Sequence, residues 1–195
     1  MHPFHEAIGV EAVADLFWDP LKVAMGALQR RPDIFFAGRN EIDNFNSVWV
    51  VEMGHLMGIW NSSWIGISPS KKLSFLRYCE FHRVENNKIT ETANYVDILS
   101  LADQTGRLPI SCTTGLSVLT PGPRHHDGLK YQASSELESL ATLKLISTMV
   151  KDLRRAEIAS PEQHMEHFWN SDMTWFGPGG IGVSGFFEGY RLGHS

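Results

Sequence analysis

The sequence predicts an α+β fold that is built around an antiparallel sheet. Residues 78–97 form two segments of alternating side chains joined by a polar, Asn-rich turn at residues 85–88, a pattern typical of a β-hairpin. A second alternating run at residues 48–60 predicts the central strand of the sheet. Apolar residues recur at helical spacing in residues 10–28 and 134–155, which predicts one helix before the strands in the sequence and one after them.

The first helix is predicted to run from Val10 to Leu28, and Pro20 is expected to bend or break it because proline lacks a backbone N–H. Residues 33–37 then predict a short apolar strand. In the central strand, Gly54 and Gly58 fall on one face, where a second element is expected to approach closely. The apolar side of the first helix is made of Val13, Leu16, Phe17, Leu21 and Ala24.

The turn fixes the register that the sequence predicts for the hairpin. If Val84 lies opposite Ile89, the pairs that follow on one face are His82 with Glu91, Glu80 with Ala93, Tyr78 with Tyr95, and Leu76 with Asp97. That face is expected to carry histidine, tyrosine and carboxylate side chains among apolar neighbours. Such a composition is unusual for a core face.

The C-terminal third of the chain is predicted to be helical. A long helix begins near Ser134 and ends in Lys151, Arg154 and Arg155, whose charges suit the end of a helix dipole. Ser160 and Pro161 are good residues for the cap and first turn of a further helix. Residues 107–133, rich in Pro, Gly, Ser, Thr and His, predict a linker ahead of these helices.

An internal repeat relates the two ends of the chain. Residues 181–186 match residues 8–13 at three of six positions, and in both copies an aromatic, Pro-bearing segment precedes the match. The repeat predicts that the C-terminal helices and strand complete the N-terminal sheet, either within one chain or by exchange between two chains. Either arrangement would cover an unpaired sheet edge and an exposed apolar face.

Composition and charge limit the expected function. The chain has 195 residues, is 43% hydrophobic and carries a net charge of −5, with no more than two basic residues in succession. Nucleic-acid binding is therefore not expected. The apolar runs are too short for a membrane span and no signal peptide is recognisable, so the expected compartment is the cytoplasm. Cys79 and Cys112 have no metal-site or disulfide spacing and are interpreted as structural.

Five segments of the chain carry a resemblance to a known family. They are Gly54-His55-Leu56-Met57-Gly58, residues 64–69, residues 79–89, residues 96–99 and residues 172–182. The first four resemble the SnoaL-like polyketide cyclase family, within the nuclear-transport-factor-two-like superfamily. The fifth is similar to the first strand of a second such domain in tandem members. The chain departs from the family at position 93, which is Ala rather than Trp, and in the second unit, which stops at Ser195 before its own sheet.

The resemblance implies a cystatin-like fold in which a curved antiparallel sheet wraps around helices into a cone. It divides the chain into a SnoaL-like domain that lacks its first helices at residues 1–106, a linker at 107–133, and the helices and first strand of a truncated second unit at 134–195. It also implies a homodimer, with or without segment swapping, and an apolar small-molecule ligand.

The resemblance further implies cofactor-free acid/base catalysis on an apolar, carbonyl-containing substrate, as in a cyclase, lyase or isomerase. Asp97 is the expected base, since a carboxylate in an apolar pocket has a raised pKa. His82, with its tautomer fixed by Glu91, and His55 are the expected hydrogen-bond donors to the oxyanion. The expected pocket lining comprises Tyr78, Glu80, Glu91, Tyr95, Trp60, Trp64 and Trp175.

Each of these residues has a structural alternative. Asp97 also suits the cap of a helical turn starting at Ile98, and His82 with Glu91 also suits an ordinary surface pair. His55 is more often a hydrogen-bonded core histidine than a catalyst. No metal is expected at residues 125–127, where consecutive ligands cannot all reach one ion. The alternative function is a non-catalytic module that binds an apolar ligand or serves in dimerisation.

Overall fold

The computed structural model describes residues 3–107, 122, 123, 125, 127–153 and 161–193. These residues form two compact units, one ending at Tyr131 and the other beginning at Gln132. The first contains a four-stranded antiparallel sheet with helices, and the second a two-stranded sheet with three helices, so the predicted α+β class is confirmed. Within the described ranges, no helix is both long and apolar enough to cross a membrane.

The elements of the first unit follow the predicted order of a helix followed by strands. The sheet order is β1-β2-β3-β4, with every neighbouring pair antiparallel, which confirms the central strand and the hairpin. The elements are α1 (Val10–Val13), a π-helical turn (Ala14–Trp18), α2 (Asp19–Ala24), β1 (Met25–Arg39), a 3₁₀ turn (Glu41–Asp43), β2 (Val48–Trp60), β3 (Leu73–Glu85), β4 (Lys88–Val96) and α3 (Ile98–Asp103).

The N-terminal helix is shorter than predicted, and the strand after it is longer. The helix ends at Ala24, and residues 25–28 already belong to β1, where pairing with β2 overrides their helical spacing. Pro20 lies just after the π-helical turn, which accommodates the hydrogen bond that proline cannot donate. The expected bend therefore takes the form of a widened turn.

The core of the first unit lies between the helices and one face of the sheet. We call this the helix face; it carries Leu56, Trp60, Leu76, Tyr78 and Val96. The opposite side of the sheet, which we call the outer face, carries Val51, His55, Phe81 and Tyr95. The helical residues that pack on the helix face are Phe17, Leu21, Ala24 and Leu101.

The backbone of β1 approaches Gly54 closely, which confirms the close approach that the sequence predicts at this position. Across from it, β1 contains a β-bulge in which Asp33 is the extra residue between Pro32 and Ile34. A Cβ atom at position 54 would lie 2.1 Å from the backbone oxygen of Arg31. The bulge therefore requires glycine at this position.

A second bulge makes most of the predicted hairpin register wrong. Val84 does pair with Ile89, and Asn86 and Asn87 form a tight turn with φ of 50° and 60°. Thr90 is then an extra residue, so Arg83 pairs with Glu91. A shift of one residue exchanges the faces of a strand. The pairs beyond the bulge are His82 with Thr92, Phe81 with Ala93, Glu80 with Asn94, Cys79 with Tyr95, and Tyr78 with Val96.

The second unit contains α4 (Glu136–Leu153), α5 (Pro161–Phe168), β5 (Thr174–Phe176), β6 (Val183–Gly185) and α6 (Phe186–Gly193). Both predicted helices are present, while the predicted cap Ser160 and the cations at 154 and 155 lie outside the described residues. Gly9 and Gly182 share a positive φ, of 90° and 80°. Beyond these glycines the two copies of the repeat differ, because Val10 begins a helix and Val183 begins a strand.

The described end of the predicted linker is attached to the sheet. Leu129 forms a parallel bridge with Phe35 of β1, the backbone N–H of Phe35 donates to Gly128 O at 2.9 Å, and that of Lys130 donates to Phe35 O at 2.7 Å. Residues 128–130 therefore pair with part of the open edge of β1. Cys112 and His126 lie outside the described residues.

Candidate functional site

A cluster of polar side chains lies on the helix face, among residues that are otherwise apolar. Glu52 of β2 and Glu80 of β3 face each other across the sheet, and Tyr78 and His82 flank Glu80 on the same face of β3. Arg30 reaches the cluster from β1. Glu80 and Tyr78 are almost fully buried, at 3% and 2% exposure. We call these five residues the Arg30 cluster.

Arg30 is held on three sides. Its Nε donates to Glu52 Oε1 at 2.6 Å, and its Nη2 donates to Glu80 Oε2. The guanidinium lies 4.6 Å from the centre of the Tyr78 ring, within cation–π distance. The Tyr78 hydroxyl donates to Glu52 Oε1. Because the fork is fixed by two carboxylates and a ring, its remaining N–H groups have a preset direction.

The other side of Glu80 contacts His82. Nε2 of His82 lies 3.5 Å from Glu80 Oε2, and Nδ1 lies 2.9 Å from the hydroxyl oxygen of Thr92. Asn94 pairs with Glu80 across the strands and is also buried. Its Oδ1 has no hydrogen-bond partner within the described part of the chain. With Thr92 and Asn94 of β4, the polar groups on and around the Arg30 cluster extend across all four strands.

Burial and charge fix the protonation states of the cluster. Burial works against the ionised form of Glu80, but the hydrogen bond from His82 and the charge of Arg30 outweigh it and lower the pKa of Glu80. Burial also opposes the charge of Arg30, yet the hydrogen bond to Glu52 and the charge of Glu80 raise its pKa. Burial and the hydrogen bond to Glu52 raise the pKa of Tyr78, so its hydroxyl stays protonated. The resulting cluster is an ionised network.

An apolar cavity of about 360 Å³ lies beside Arg30, between the helix and the first strands. Its lining contributes two cationic side chains and no carboxylate. The lining residues are Trp18, Lys22, Met25, Ala27, Leu28, Arg30 and Leu56. Lys22 is exposed and pairs with Asp19 at 3.3 Å, so Arg30 is the fixed polar group of this cavity.

The outer face carries a separate polar pair. Nδ1 of His55 lies 2.9 Å from Asp33 Oδ2, and His55 itself is 7% exposed. Burial lowers the pKa of His55, against the charges of Asp33 and Asp97 that favour the imidazolium, while Arg77 adds to the lowering. His55 is therefore neutral near pH 7. The structure thus brings His55 near Asp97 but places His82 on the other face of the sheet.

The remaining predicted pocket residues are divided among several environments. Trp60 and Trp64 are buried in the core, where Trp64 packs against Phe4 and Phe17. Glu91 and Tyr95 are exposed, and Tyr95 contacts Phe81 on the outer face. Trp175 belongs to the second unit, where it lies edge-on to Tyr190 at 5.6 Å. Of the predicted residues, Tyr78, Glu80 and His82 are therefore the ones that share the cluster.

Sequence reasoning missed Arg30 and Glu52. Arg30 follows the segment whose apolar spacing predicts a helix, and Glu52 shares the strand face of Gly54 and Gly58, where the sequence predicts close backbone approach. The available signal for Arg30 is its place between the apolar Leu28 and Pro32, two positions away on each side, once residues 25–32 are recognised as a strand.

Asp97 has the geometry of a helix cap. It is the residue before α3, and its Oδ1 accepts from the backbone N–H of Ser100 at 3.0 Å. We expect Asp97→Ala to destabilise the fold by about 1 kcal/mol and Asp97→Asn to have a much smaller effect, since Asn also caps. Chemical denaturation of both variants checks this. Equal destabilisation by the two substitutions would show that the carboxylate charge, rather than the cap, is what matters.

Within the described ranges, no group of three or more His, Cys, Asp or Glu side chains is arranged to hold a metal ion. No protein-family model, curated protein or solved structure matches the chain. The relation to SnoaL-like cyclases therefore remains a prediction from the sequence motifs.

Proposed function

We propose that the first unit binds a small, apolar, carbonyl-containing molecule in the cavity beside Arg30 and catalyses cofactor-free proton transfer at the carbon next to the carbonyl. Such a step is the first stage of cyclase, lyase and isomerase reactions. The observation that carries the proposal is a guanidinium, partly exposed and held by two carboxylates and a tyrosine ring, at the wall of an otherwise apolar cavity. In this view the sheet and helices form the cone that the sequence motifs imply.

Arg30 is suited to bind the carbonyl oxygen. Two of its N–H groups are used by Glu52 and Glu80, which leaves others for a ligand. When a proton leaves the neighbouring carbon, negative charge develops on the oxygen, and a preoriented donor stabilises that charge without reorganising. Glu80, which helps to fix Arg30, thus acts as a positioning residue.

The charge of the cluster favours a neutral ligand over an anionic one. Arg30 contributes one positive charge, and the carboxylates of Glu52 and Glu80 contribute two negative charges. A ligand carboxylate next to Arg30 would face both glutamates, and like charges at short range in a low-dielectric site repel strongly. A ketone oxygen accepts the same hydrogen bond without this repulsion.

Glu52 is the proposed proton acceptor. It lies outside the cavity lining, but its Oε1 is 2.6 Å from Nε of Arg30, the residue at the cavity wall, whereas His82 is one contact further away, beside Glu80. Glu80 is the weaker candidate, because a carboxylate with a lowered pKa is a poor base. Asp97 caps α3, and its charge acts on His55 of the outer face, which separates it from Arg30.

The second candidate function is binding without catalysis. It is favoured by the pairing within the cluster, where Arg30 donates to Glu52 and Glu80 and the Tyr78 hydroxyl donates to Glu52. Such a network also serves as a rigid polar core. Homodimerisation of the whole chain, with or without exchange of its C-terminal segment, is compatible with either function and remains part of the proposal.

Hydrogen–deuterium exchange of a probe ketone tests the proposal. The wild-type protein is expected to speed deuterium incorporation into the methyl group of 2-acetonaphthone in D₂O, followed by NMR. Arg30→Lys keeps a charge but loses the planar fork and is expected to slow exchange about tenfold or more. Arg31→Lys is the matched control, since Arg31 is exposed and its guanidinium donates to the nearby Gln29 side chain.

The outcomes separate the two candidate functions. Saturable binding of the ketone without accelerated exchange would favour the non-catalytic module. Exchange that is equally fast in the Arg30→Lys and Arg31→Lys variants would contradict the role of Arg30. Absence of binding by the wild-type protein would contradict both functions.

A further inference from the structure

Asp33 and His55 form a polar pair on the outer face, and the geometry of this pair depends on a β-bulge and a glycine. Asp33 is the extra residue of the β-bulge in β1, and bulges redirect side chains out of the regular alternation of a strand. This bulge is possible only because position 54 is glycine. The redirected carboxylate contacts Nδ1 of His55 at 2.9 Å.

The carboxylate fixes the tautomer of His55. An ionised carboxylate only accepts hydrogen bonds, so Nδ1 must carry the proton and donate it to Asp33. Burial lowers the pKa of His55 and keeps the imidazole neutral. The charge of Arg77 lowers this pKa further, whereas the charges of Asp33 and Asp97 act in the opposite direction. Nε2 is therefore an unprotonated acceptor.

This acceptor is buried and has no hydrogen-bond partner within the described part of the chain. Buried polar atoms are nearly always hydrogen-bonded, by protein, water or a ligand. Arg77 lies opposite His55 on β3, and the ring of Phe75 lies edge-on to the imidazole at 6.4 Å. The lone pair of His55 Nε2 therefore requires a hydrogen-bond donor, and the position of that donor lies beside the ring of Phe75.

We propose that Asp33 and His55 form a second site, separate from the Arg30 cluster, that binds the hydroxyl group of a small apolar alcohol or phenol. The ligand hydroxyl donates to Nε2, and its apolar part packs against Phe75.

NMR of protein labelled with ¹⁵N in its histidines tests this site, with phenol as the probe and anisole as its matched analogue without a donor. In the free protein, His55 is expected as the Nδ1–H tautomer with Nε2 unprotonated. Phenol is expected to shift the Nε2 resonance saturably, and anisole to bind about tenfold more weakly, as expected for the loss of one hydrogen bond. Arg30→Lys is expected to leave this titration unchanged, which separates the site from the proposed function.

Asp33→Asn provides the decisive variant. Its amide is expected to donate to Nδ1, which moves the proton of His55 to Nε2 and abolishes the preference for phenol over anisole. Unchanged His82 resonances and an unchanged unfolding midpoint would show that this variant is folded. The site is overturned if wild-type Nε2 is protonated, if phenol leaves it unshifted, if a long-lived internal water already fills the position, or if the variant keeps the preference. The wild-type measurements stand even if the variant does not fold.

Discussion

Replacing Arg30 with methionine is expected to destabilise the first unit by about 2–3 kcal/mol. The substitution leaves Glu80, which is 3% exposed, without its guanidinium partner, so that only His82 still contacts this buried carboxylate. Removing one partner of a fully buried pair typically costs about 3–5 kcal/mol, and the smaller value applies here because 36% of the Arg30 side chain is exposed. Urea denaturation of wild type and variant measures the difference.

The pH dependence of this effect gives a second test. The pKa of Glu80 is lowered in the folded state, so its ion pair stabilises the fold above the unfolded-state pKa near 4.5 and is lost as the pH falls through the folded-state pKa. The difference between wild type and Arg30→Met should therefore be largest near pH 7 and shrink in acid. A difference that grows in acid would contradict this assignment.

A double variant isolates the pair from the rest of the cluster. Arg30→Met with Glu80→Met removes both charges of the pair and is expected to recover part of the stability lost in the single variant, because only Glu52, which still accepts from the Tyr78 hydroxyl, then lacks its cation. If the double variant is as unstable as the sum of the two single ones, the pair is not the source of the effect.

Gly54→Ala is expected to destabilise the first unit by about 3 kcal/mol, the upper end of typical overpacking. The added Cβ would lie 2.1 Å from the backbone oxygen of Arg31, so β1 and β2 must separate locally. Gly38→Ala is the matched control, because a Cβ at Gly38 meets no atom within 4 Å. Thermal unfolding of both variants checks this prediction, and equal stability would show that the bulge in β1 adapts readily.

The same substitution should disturb both faces of the sheet. Gly54 shares the helix face with Glu52 and pairs with Tyr78, and the clash falls at Arg31, between Arg30 and the bulge that redirects Asp33. Changes in the NMR resonances of both His55 and His82 would fit this position. A change in neither would contradict it.

Alternation and turn chemistry in the sequence were sufficient to predict β2 and the β3–β4 hairpin, whereas of β1 only residues 33–37 were predicted as a strand. The two consecutive asparagines at 86 and 87 predicted the turn, and both adopt the positive φ that a tight hairpin needs. The alternation of β2 predicted the central strand and the close approach at Gly54. These features depend on neighbouring residues, and they are therefore visible in the sequence.

The bulges at Thr90 and Asp33 could not be predicted in the same way. A bulge depends on which strand lies opposite and on how the two twist, and no residue type at Thr90 signals it. Yet these two positions affect the sites, because the first places Asn94 beside Glu80 on the helix face, and the second places Asp33 on His55. The predicted grouping of Asp97, His82 and His55 failed for two reasons: the bulge at Thr90 exchanges the faces of β4 ahead of Asp97, and the regular register of β2 with β3 places His55 on the face opposite to His82.

The position of a bound ketone is the most direct test of the proposed function. A crystal structure of the full chain with 2-acetonaphthone is expected to show the naphthalene ring in the cavity between Trp18 and Leu56, with the carbonyl oxygen within hydrogen-bond distance of the Arg30 guanidinium. A ketone bound on the outer face beside His55, or a cavity that excludes it while Arg30 keeps its bonds to Glu52 and Glu80, would contradict the proposed function.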